Sequence, residues 1–248
     1  MNDLPKGRVL VVEHEPDAGL SLMGDHLRHL VQVVRPYLGE SLPEPADYVG
    51  LIVLGGSMGA WDDEAAPWLP ATRRLLADAV QRQVPTLGIC LGAQLLAAAC
   101  GGTVERGAAG LEVGLASVTA LPAVADDPFF GPVAAAVGSH WQASQYHSDA
   151  VTALPVDAEL MVSGDRYRQQ GFRVGSAAWG VQYHPEVSTE LFAGWVANGQ
   201  RSGELAADAS HLLEAAQAGS AALSRLAAVH SQAFLAVIQA SRRDGAPA

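Results

Sequence analysis

Hydrophobic positions along this chain switch between two periods, and the switches mark out its elements. Arg8-Val9-Leu10-Val11-Val12-Glu13 is apolar through its centre, the pattern of a parallel strand buried on both faces. After it Leu20, Met23, Leu27 and Leu30 recur at intervals of three and four, which predicts a helix. Val31-Gln32-Val33-Val34 reads as a second strand, and residues 48–54 as a third that ends in the loop Gly55-Gly56-Ser57-Met58-Gly59. Leu69, Leu75, Leu76, Ala79 and Val80 mark a helix over 68–83. Residues 84–89 follow as a strand opened by a turn-type proline, Pro85. Residues 91–100 form an Ala/Leu helix stopped by Gly101-Gly102.

This β-α-β-α order predicts an α/β fold with a doubly wound, mostly parallel sheet. The middle of the chain changes character. Over 113–121 and 139–181, short β-type runs are separated by Gly, Pro and Asp, as in an antiparallel addition that carries loops back over the sheet. Ala177-Ala178-Trp179-Gly180-Val181-Gln182-Tyr183 is a late strand that delivers His184. Beyond Gly199 the chain is Ala-rich and helical, with apolar positions at Leu205, Leu212, Leu223, Leu226, Phe234 and Ile238, and Gly219 is expected to divide it into two helices. Without internal repeat or linker, residues 1–200 read as one domain and 201–248 as a helical extension packed on it. The apolar positions of those helices suit either a cap on the domain or a contact within an oligomer.

Composition narrows the partners. Apolar residues make up 49% of the 248, enough for a sizeable core, and the net charge of −11 repels a phosphate backbone, so nucleic acid is not an expected partner. The chain has two cysteines, Cys90 and Cys100, and its polar N-terminus, Met1-Asn2-Asp3-Leu4-Pro5-Lys6-Gly7, has no signal-peptide core. No uninterrupted apolar stretch reaches membrane length. A soluble, cytoplasmic protein without membrane contact is expected. No spacing among the eight histidines suggests a metal site, and no cofactor is indicated. His26, His29, His211 and His230 fall on helical patterns and are expected at the surface.

Candidate chemistry concentrates at two turns. Gly88-Ile89-Cys90-Leu91-Gly92 has the form Gly-x-nucleophile-x-Gly between a strand and a helix, the context of a nucleophile elbow. Both glycines suit close backbone approach, and a helix beginning at Leu91 would direct its positive end at the sulfur and favour the thiolate. Taken alone, the turn is equally compatible with a small buried structural thiol. Cys100, at the end of an apolar helix with no elbow, is assigned that structural role. The base would be His184, in Gln182-Tyr183-His184-Pro185-Glu186, because parallel strands place their carboxyl ends along one edge. Pro185 fixes the turn, and Glu186 can fold back to hold one imidazole nitrogen.

Three separate stretches in this order, Leu54-Gly55-Gly56-Ser57-Met58-Gly59, Gly88-Ile89-Cys90-Leu91-Gly92-Ala93-Gln94 and Gly180-Val181-Gln182-Tyr183-His184-Pro185-Glu186, resemble the class I (triad) glutamine amidotransferases. Gly110-Leu111-Glu112-Val113-Gly114 and Tyr146-His147-Ser148-Asp149 resemble the stand-alone, GMP-synthase-like branch. The resemblance implies a flavodoxin-like sheet and a Cys90-His184-Glu186 triad that hydrolyses the side-chain amide of glutamine through a γ-glutamyl thioester. It also implies an oxyanion hole from the N–H groups of Gly56 and Leu91, and substrate contacts from Gln94, with His147 and Ser148 over the α-amino group. Asp149 fits a turn as well as a functional role. The chain carries no phosphate loop of the Walker type and no Ser-Gly-Gly-x-Asp-Ser loop, so a separate synthetase would accept the ammonia. Two further readings stand beside this one: a hydrolase of another γ-glutamyl amide, and a catalytically silent regulatory module on the same fold.

Overall fold

Nine strands form one mixed sheet whose centre is the run of apolar segments read above. The computed structural model describes residues 7–27, 29–43 and 48–244; the N-terminal stretch 1–6, Arg28 within the helix read over 20–30, and the tail 245–248 lie outside these. The strands are β1 (Arg8–Val12), β2 (Val31–Val34), β3 (Tyr48–Val53), β4 (Thr86–Ile89), β5 (Thr103–Arg106), β6 (Glu112–Ala120) and β7 (His140–His147). They continue with β8 (Asp149–Ala153), β9 (Ala158–Gly164), β10 (Gly171–Val174) and β11 (Ala178–Val181). The large sheet has the order β2-β1-β3-β4-β11-β10-β9-β6-β7, while β5 and β8 pair in a small sheet of their own. The first five strands in that order are parallel and the remaining pairings are antiparallel. This is the flavodoxin-like, doubly wound α/β class with an antiparallel addition.

The central parallel strands β1, β3, β4 and β11 are buried on both faces, while β2 lies partly exposed at the edge, and their alternation divides the core in two. Val9, Val11 and Ile52 face one layer and Leu10, Val12, Leu51 and Val53 the other. Helices α1 (Ser21–Leu27), α4 (Phe130–Val137) and α7 (Ser220–Asp244) contribute to the first layer, and α2 (Leu69–Gln81) and α3 (Leu91–Ala99) to the second. α5 (Thr189–Ser202) and α6 (Ser210–Ala218) share a smaller cluster around Phe192 and Val196. Residue 200 therefore falls inside α5, and Leu226, Ala227, Phe234 and Ile238 of α7 belong to the main core. A Cβ on Gly50 would lie 2.7 Å from Ile238 Cδ1, so α7 rests directly on β3. By length and composition α7 is apolar enough to cross a membrane, but half of its most apolar stretch is buried inside the fold.

Two local features escaped the sequence pattern. Helix α4 contains Gly131-Pro132, which reads as a turn, yet proline is tolerated in a first turn because its missing N–H has no partner there. The buried Asp127 carboxylate fixes its start by accepting the Phe129 and Phe130 N–H groups at 2.9 and 2.7 Å, and it accepts the Trp179 indole N–H at 3.1 Å.

The second is a correction. His26, His29 and His211 are exposed as expected, but His230 is fully buried. It stands four residues from both Leu226 and Phe234, on the apolar row of α7 that faces the sheet. Its Nδ1–H donates to the Leu226 carbonyl at 2.9 Å and its Nε2 accepts from the Tyr183 hydroxyl at 2.9 Å, so the neutral ring satisfies both nitrogens. Burial pushes its pKa down to about 4, and that of buried His14 likewise to about 4.

The unfolded chain therefore takes up protons on these histidines below about pH 6.5 while the folded chain does not, so stability falls as the pH drops from there to about 4. Thermal unfolding of wild type and His230→Gln across pH 7 to 4 is expected to show a lower Tm for the variant at neutral pH but a shallower acid decline. Parallel declines would contradict the neutral buried state of His230.

Candidate active site

Cys90 sits between β4 and α3 with φ 51° and ψ −107°, a left-handed backbone that a side-chain-bearing residue adopts only under strain. The flanking glycines make the turn feasible. A Cβ on Gly88 would lie 2.5 Å from the Gly92 carbonyl oxygen, and one on Gly92 would run into the Val53 carbonyl. The Cys90 N–H donates to the Val181 carbonyl at 2.8 Å, and its own carbonyl accepts from Gln94 N–H at 3.0 Å as the first bond of α3. Leu91 is the first residue of that helix, where backbone N–H groups have no helical acceptor.

β11 lies beside β4 in parallel register, Gly180 opposite Gly88 and Val181 opposite Ile89. The chain then carries His184 to the same sheet edge, where its N–H donates to the Ser144 carbonyl at 2.8 Å. His184 Nδ1 meets Glu186 Oε1 at 2.7 Å, and the imidazole stands beside Cys90. Both His184 and Glu186 are buried. Burial is the largest single influence on His184 and opposes its charge, but the Glu186 carboxylate and the Cys90 sulfur together outweigh it and push its pKa up to about 10. The imidazole therefore holds its proton at neutral pH. Trp195 of α5 packs its edge against the ring at 4.8 Å.

A cleft of about 690 Å³ opens over these residues, lined among others by Gly56, Cys90, Gln94, His147, Ser148 and His184. Leu91 and Glu186 stand behind its wall. Gly55 and Gly56 approach from the β3 side: a Cβ on Gly55 would lie 3.1 Å from His184 Cε1 and 3.7 Å from Cys90 Cβ, and one on Gly56 would lie 3.0 Å from Leu91 Cδ2. The loop thus passes against Cys90, His184 and the start of α3 together.

The residues expected to contact substrate divide into two kinds. Gln94 uses its amide nitrogen internally, donating to the Asp149 carbonyl at 2.9 Å and to Gln182 Oε1 at 3.3 Å. His147 is held at both ring nitrogens, by the Asp149 carbonyl at 2.8 Å and the Glu112 carboxylate at 3.0 Å. Ser148 differs: its buried hydroxyl has no partner among the described residues, which leaves it available at the cleft wall. Asp149 works through its backbone carbonyl, while its carboxylate lies 3.7 Å from Arg106. Cys100 is half-buried and burial pushes its thiol up, away from reactive thiolate.

Several contributors had no role in the sequence reading. Gln182, although inside a quoted stretch, donates its amide N–H to Cys90 Sγ at 3.6 Å. Glu112 and Gln170 extend the His147 contacts into a buried chain, with Gln170 donating to Glu112 at 3.1 Å and Gln145 to Gln170 at 2.9 Å. Glu15 accepts from both the N–H and the hydroxyl of Ser57 in the glycine loop. A strand-end glutamine two residues before a candidate base is the one signal that could have marked Gln182 in advance.

Comparison with known proteins identifies the family. The glutamine amidotransferase class-I family model matches residues 23–199. Gamma-glutamyl peptidase 5 of Arabidopsis thaliana is 30% identical over 145 residues, 58% of this chain and 56% of that protein. The glutamine-hydrolyzing GMP synthase of Bacteroides fragilis is 30% identical over 167 residues, 67% of this chain and 30% of that protein. The matched stretches thus span about half or less of these two relatives. Among solved structures, a glutamine amidotransferase from Thermotoga maritima superposes with a TM-score of 0.79 at 28% identity, over 93% of this chain and 99% of that one. One from Methylobacillus flagellatus gives 0.80 at 25% identity, over 93% and 94%. A match over residues 23–199, on this fold, places the chain in the class I glutamine amidotransferase family.

Proposed function

We propose that this chain hydrolyses the side-chain amide of glutamine with Cys90 as nucleophile, His184 as proton carrier and Glu186 as its orienter. The observation that carries the reading is a Glu186-bound His184 set beside a cysteine that is held on a strained elbow, both lining one cleft. Cys90 attacks as the thiolate, and its sulfur bonds to the amide carbon while the carbonyl oxygen takes the negative charge. The Gly56 and Leu91 N–H groups are assigned to that oxyanion, a contribution of several kcal/mol in sites of this kind. The imidazolium passes its proton to the departing nitrogen, ammonia leaves, and a γ-glutamyl thioester remains. His184, now neutral, takes a proton from water, whose oxygen displaces the sulfur and releases glutamate. In this reading the ammonia passes to a separate synthetase.

A second reading keeps the same chemistry with a larger leaving group. A cleft of about 690 Å³ falls in the range that accommodates drug-sized ligands and exceeds what one amino acid fills. Similarity to a gamma-glutamyl peptidase favours the same direction. Ammonia and amine release from glutamine and from a panel of γ-glutamyl peptides separates the two by kcat/KM.

Cys90→Ser is expected to abolish turnover of either substrate class, whereas Cys100→Ser retains it; an active Cys90→Ser enzyme would defeat the assignment, and an inactive wild type on every amide would favour the silent module. Glu186→Gln is expected to lower kcat by about 10²–10⁴-fold through the wrong imidazole tautomer. The pH profile adds a signed test. The wild-type rate falls as the pH rises through about 10, where His184 loses its proton, and removing the Glu186 charge moves that falling limb to lower pH. An unmoved limb would show that Glu186 does not set the charge of His184.

A further inference from the structure

The loop assigned to the oxyanion has a weakness in its own sequence. Gly55 and Gly56 bring the backbone against His184, Cys90 and Leu91, and a Cβ on Gly56 would lie 2.6 Å from Met58 Sδ and 3.0 Å from Leu91 Cδ2, so a side chain there would have to displace its neighbours. Glycine is the residue with the most conformational freedom to lose. Oxyanion stabilisation needs donors fixed in advance of the reaction, because a donor that must reorient gives back what it contributes. A glycine pair cannot fix itself, so the restraint has to come from neighbours.

The structure supplies it from the segment between β1 and α1. Because β1 and β3 are parallel neighbours, the chain leaves both at the same sheet edge. There Glu15 Oε1 accepts the Ser57 N–H at 2.8 Å and Oε2 accepts the Ser57 hydroxyl at 2.7 Å. These two charge-assisted bonds fix the peptide that joins Gly56 to Ser57. Farther along the loop, the Gly59 N–H donates to Asp62 at 2.7 Å. The segment bearing Glu15 is itself anchored: the Trp195 indole donates to the Asp17 carbonyl at 2.8 Å and Asn198 to the Asp17 carboxylate at 3.1 Å. Just beyond it, in the first turn of α1, Leu22 N–H donates to the Glu186 carbonyl at 2.9 Å, so the helix that follows the segment touches the backbone of the triad carboxylate.

We propose that Glu15 is a positioning residue that clamps Ser57 and thereby holds the Gly56 N–H in the oxyanion hole, an inference that rests on the amide-hydrolase reading above. Glu15 acts through Ser57 and leaves the nucleophile and base untouched, which separates its effect from theirs. Its loss lowers the rate of the step that builds an oxyanion and spares a reaction of Cys90 that builds none.

The test compares wild type, Glu15→Ala, Glu15→Gln, Ser57→Ala and the Glu15→Ala/Ser57→Ala double variant in two assays: steady-state amide hydrolysis, and alkylation of Cys90 by iodoacetamide, which displaces iodide without forming an oxyanion. Glu15→Ala is expected to lower kcat on the order of 10²-fold, the cost of losing one oxyanion donor, with KM nearly unchanged. Its alkylation rate stays at the wild-type value. Glu15→Gln, which keeps the shape and an acceptor, recovers much of the loss, and adding Ser57→Ala to Glu15→Ala costs nothing more because both remove one clamp. Wild-type kcat in Glu15→Ala, or alkylation falling in step with hydrolysis, would overturn the proposal. A wild type that alkylates normally but hydrolyses no γ-glutamyl amide would instead remove the functional reading, and this inference with it.

Discussion

The parallel pairing of β4 with β11 is the constraint on which the site depends. It sets Ile89, the residue before Cys90, opposite Val181, three residues before His184, although the two segments are about ninety positions apart in the chain. Because side chains alternate across a strand, a slip of one residue would send the wrong faces into both core layers, so the apolar pattern that builds the core also enforces the register of the active edge. The Cys90 N–H bond to the Val181 carbonyl carries that register one residue past the strand, into the elbow.

Around this edge the fold accepts costs that a purely structural core would avoid. Cys90 occupies a strained backbone conformation, worth about 1–3 kcal/mol in general, and the paired polar groups of His184 and Glu186 are held where solvent is excluded. One Glu186 oxygen and the Ser148 hydroxyl have no partner among the described residues. The compensation is local and polar. Gln182, Gln94, His147, Glu112, Gln170 and Gln145 hand hydrogen bonds from the sulfur outward through the wall of the cleft, each buried group largely satisfied by the next. Such a network rigidifies what it surrounds. Against α7, the neutral His230–Tyr183 pair does the same, and Tyr183 lies one residue along the chain from His184.

The sequence made legible what periodicity and punctuation encode. Alternation and apolar runs mark β1 to β4 and the helices between them, Gly88 and Gly92 mark the elbow, and Pro185 with Glu186 marks the second turn. Residues whose meaning depends on a distant partner stayed silent. Glu15 lies in a polar connection that reads as an ordinary turn, and only the parallel exit of β1 and β3 brings it to Ser57, forty-two positions on. Glu112 meets His147 by the pairing of β6 with β7, which no local spacing announces. His230 reads as a surface residue because a single polar letter in an apolar row looks like exposure, whereas the row itself determines which way the side chain faces. α4 was hidden by Gly131-Pro132, a turn signal overridden by the Asp127 cap.

The proposed reaction passes through a covalent acyl intermediate between Cys90 and the γ-carbonyl of its substrate. Mixing the protein with glutamine or a γ-glutamyl peptide, quenching in acid within the first turnover and mapping the adduct by peptide mass spectrometry tests it directly. The mass of one γ-glutamyl group is expected on the peptide that carries Cys90, lost on standing at neutral pH. An adduct on Cys100, or substrate turnover with no adduct on Cys90 under any quench, would contradict this mechanism.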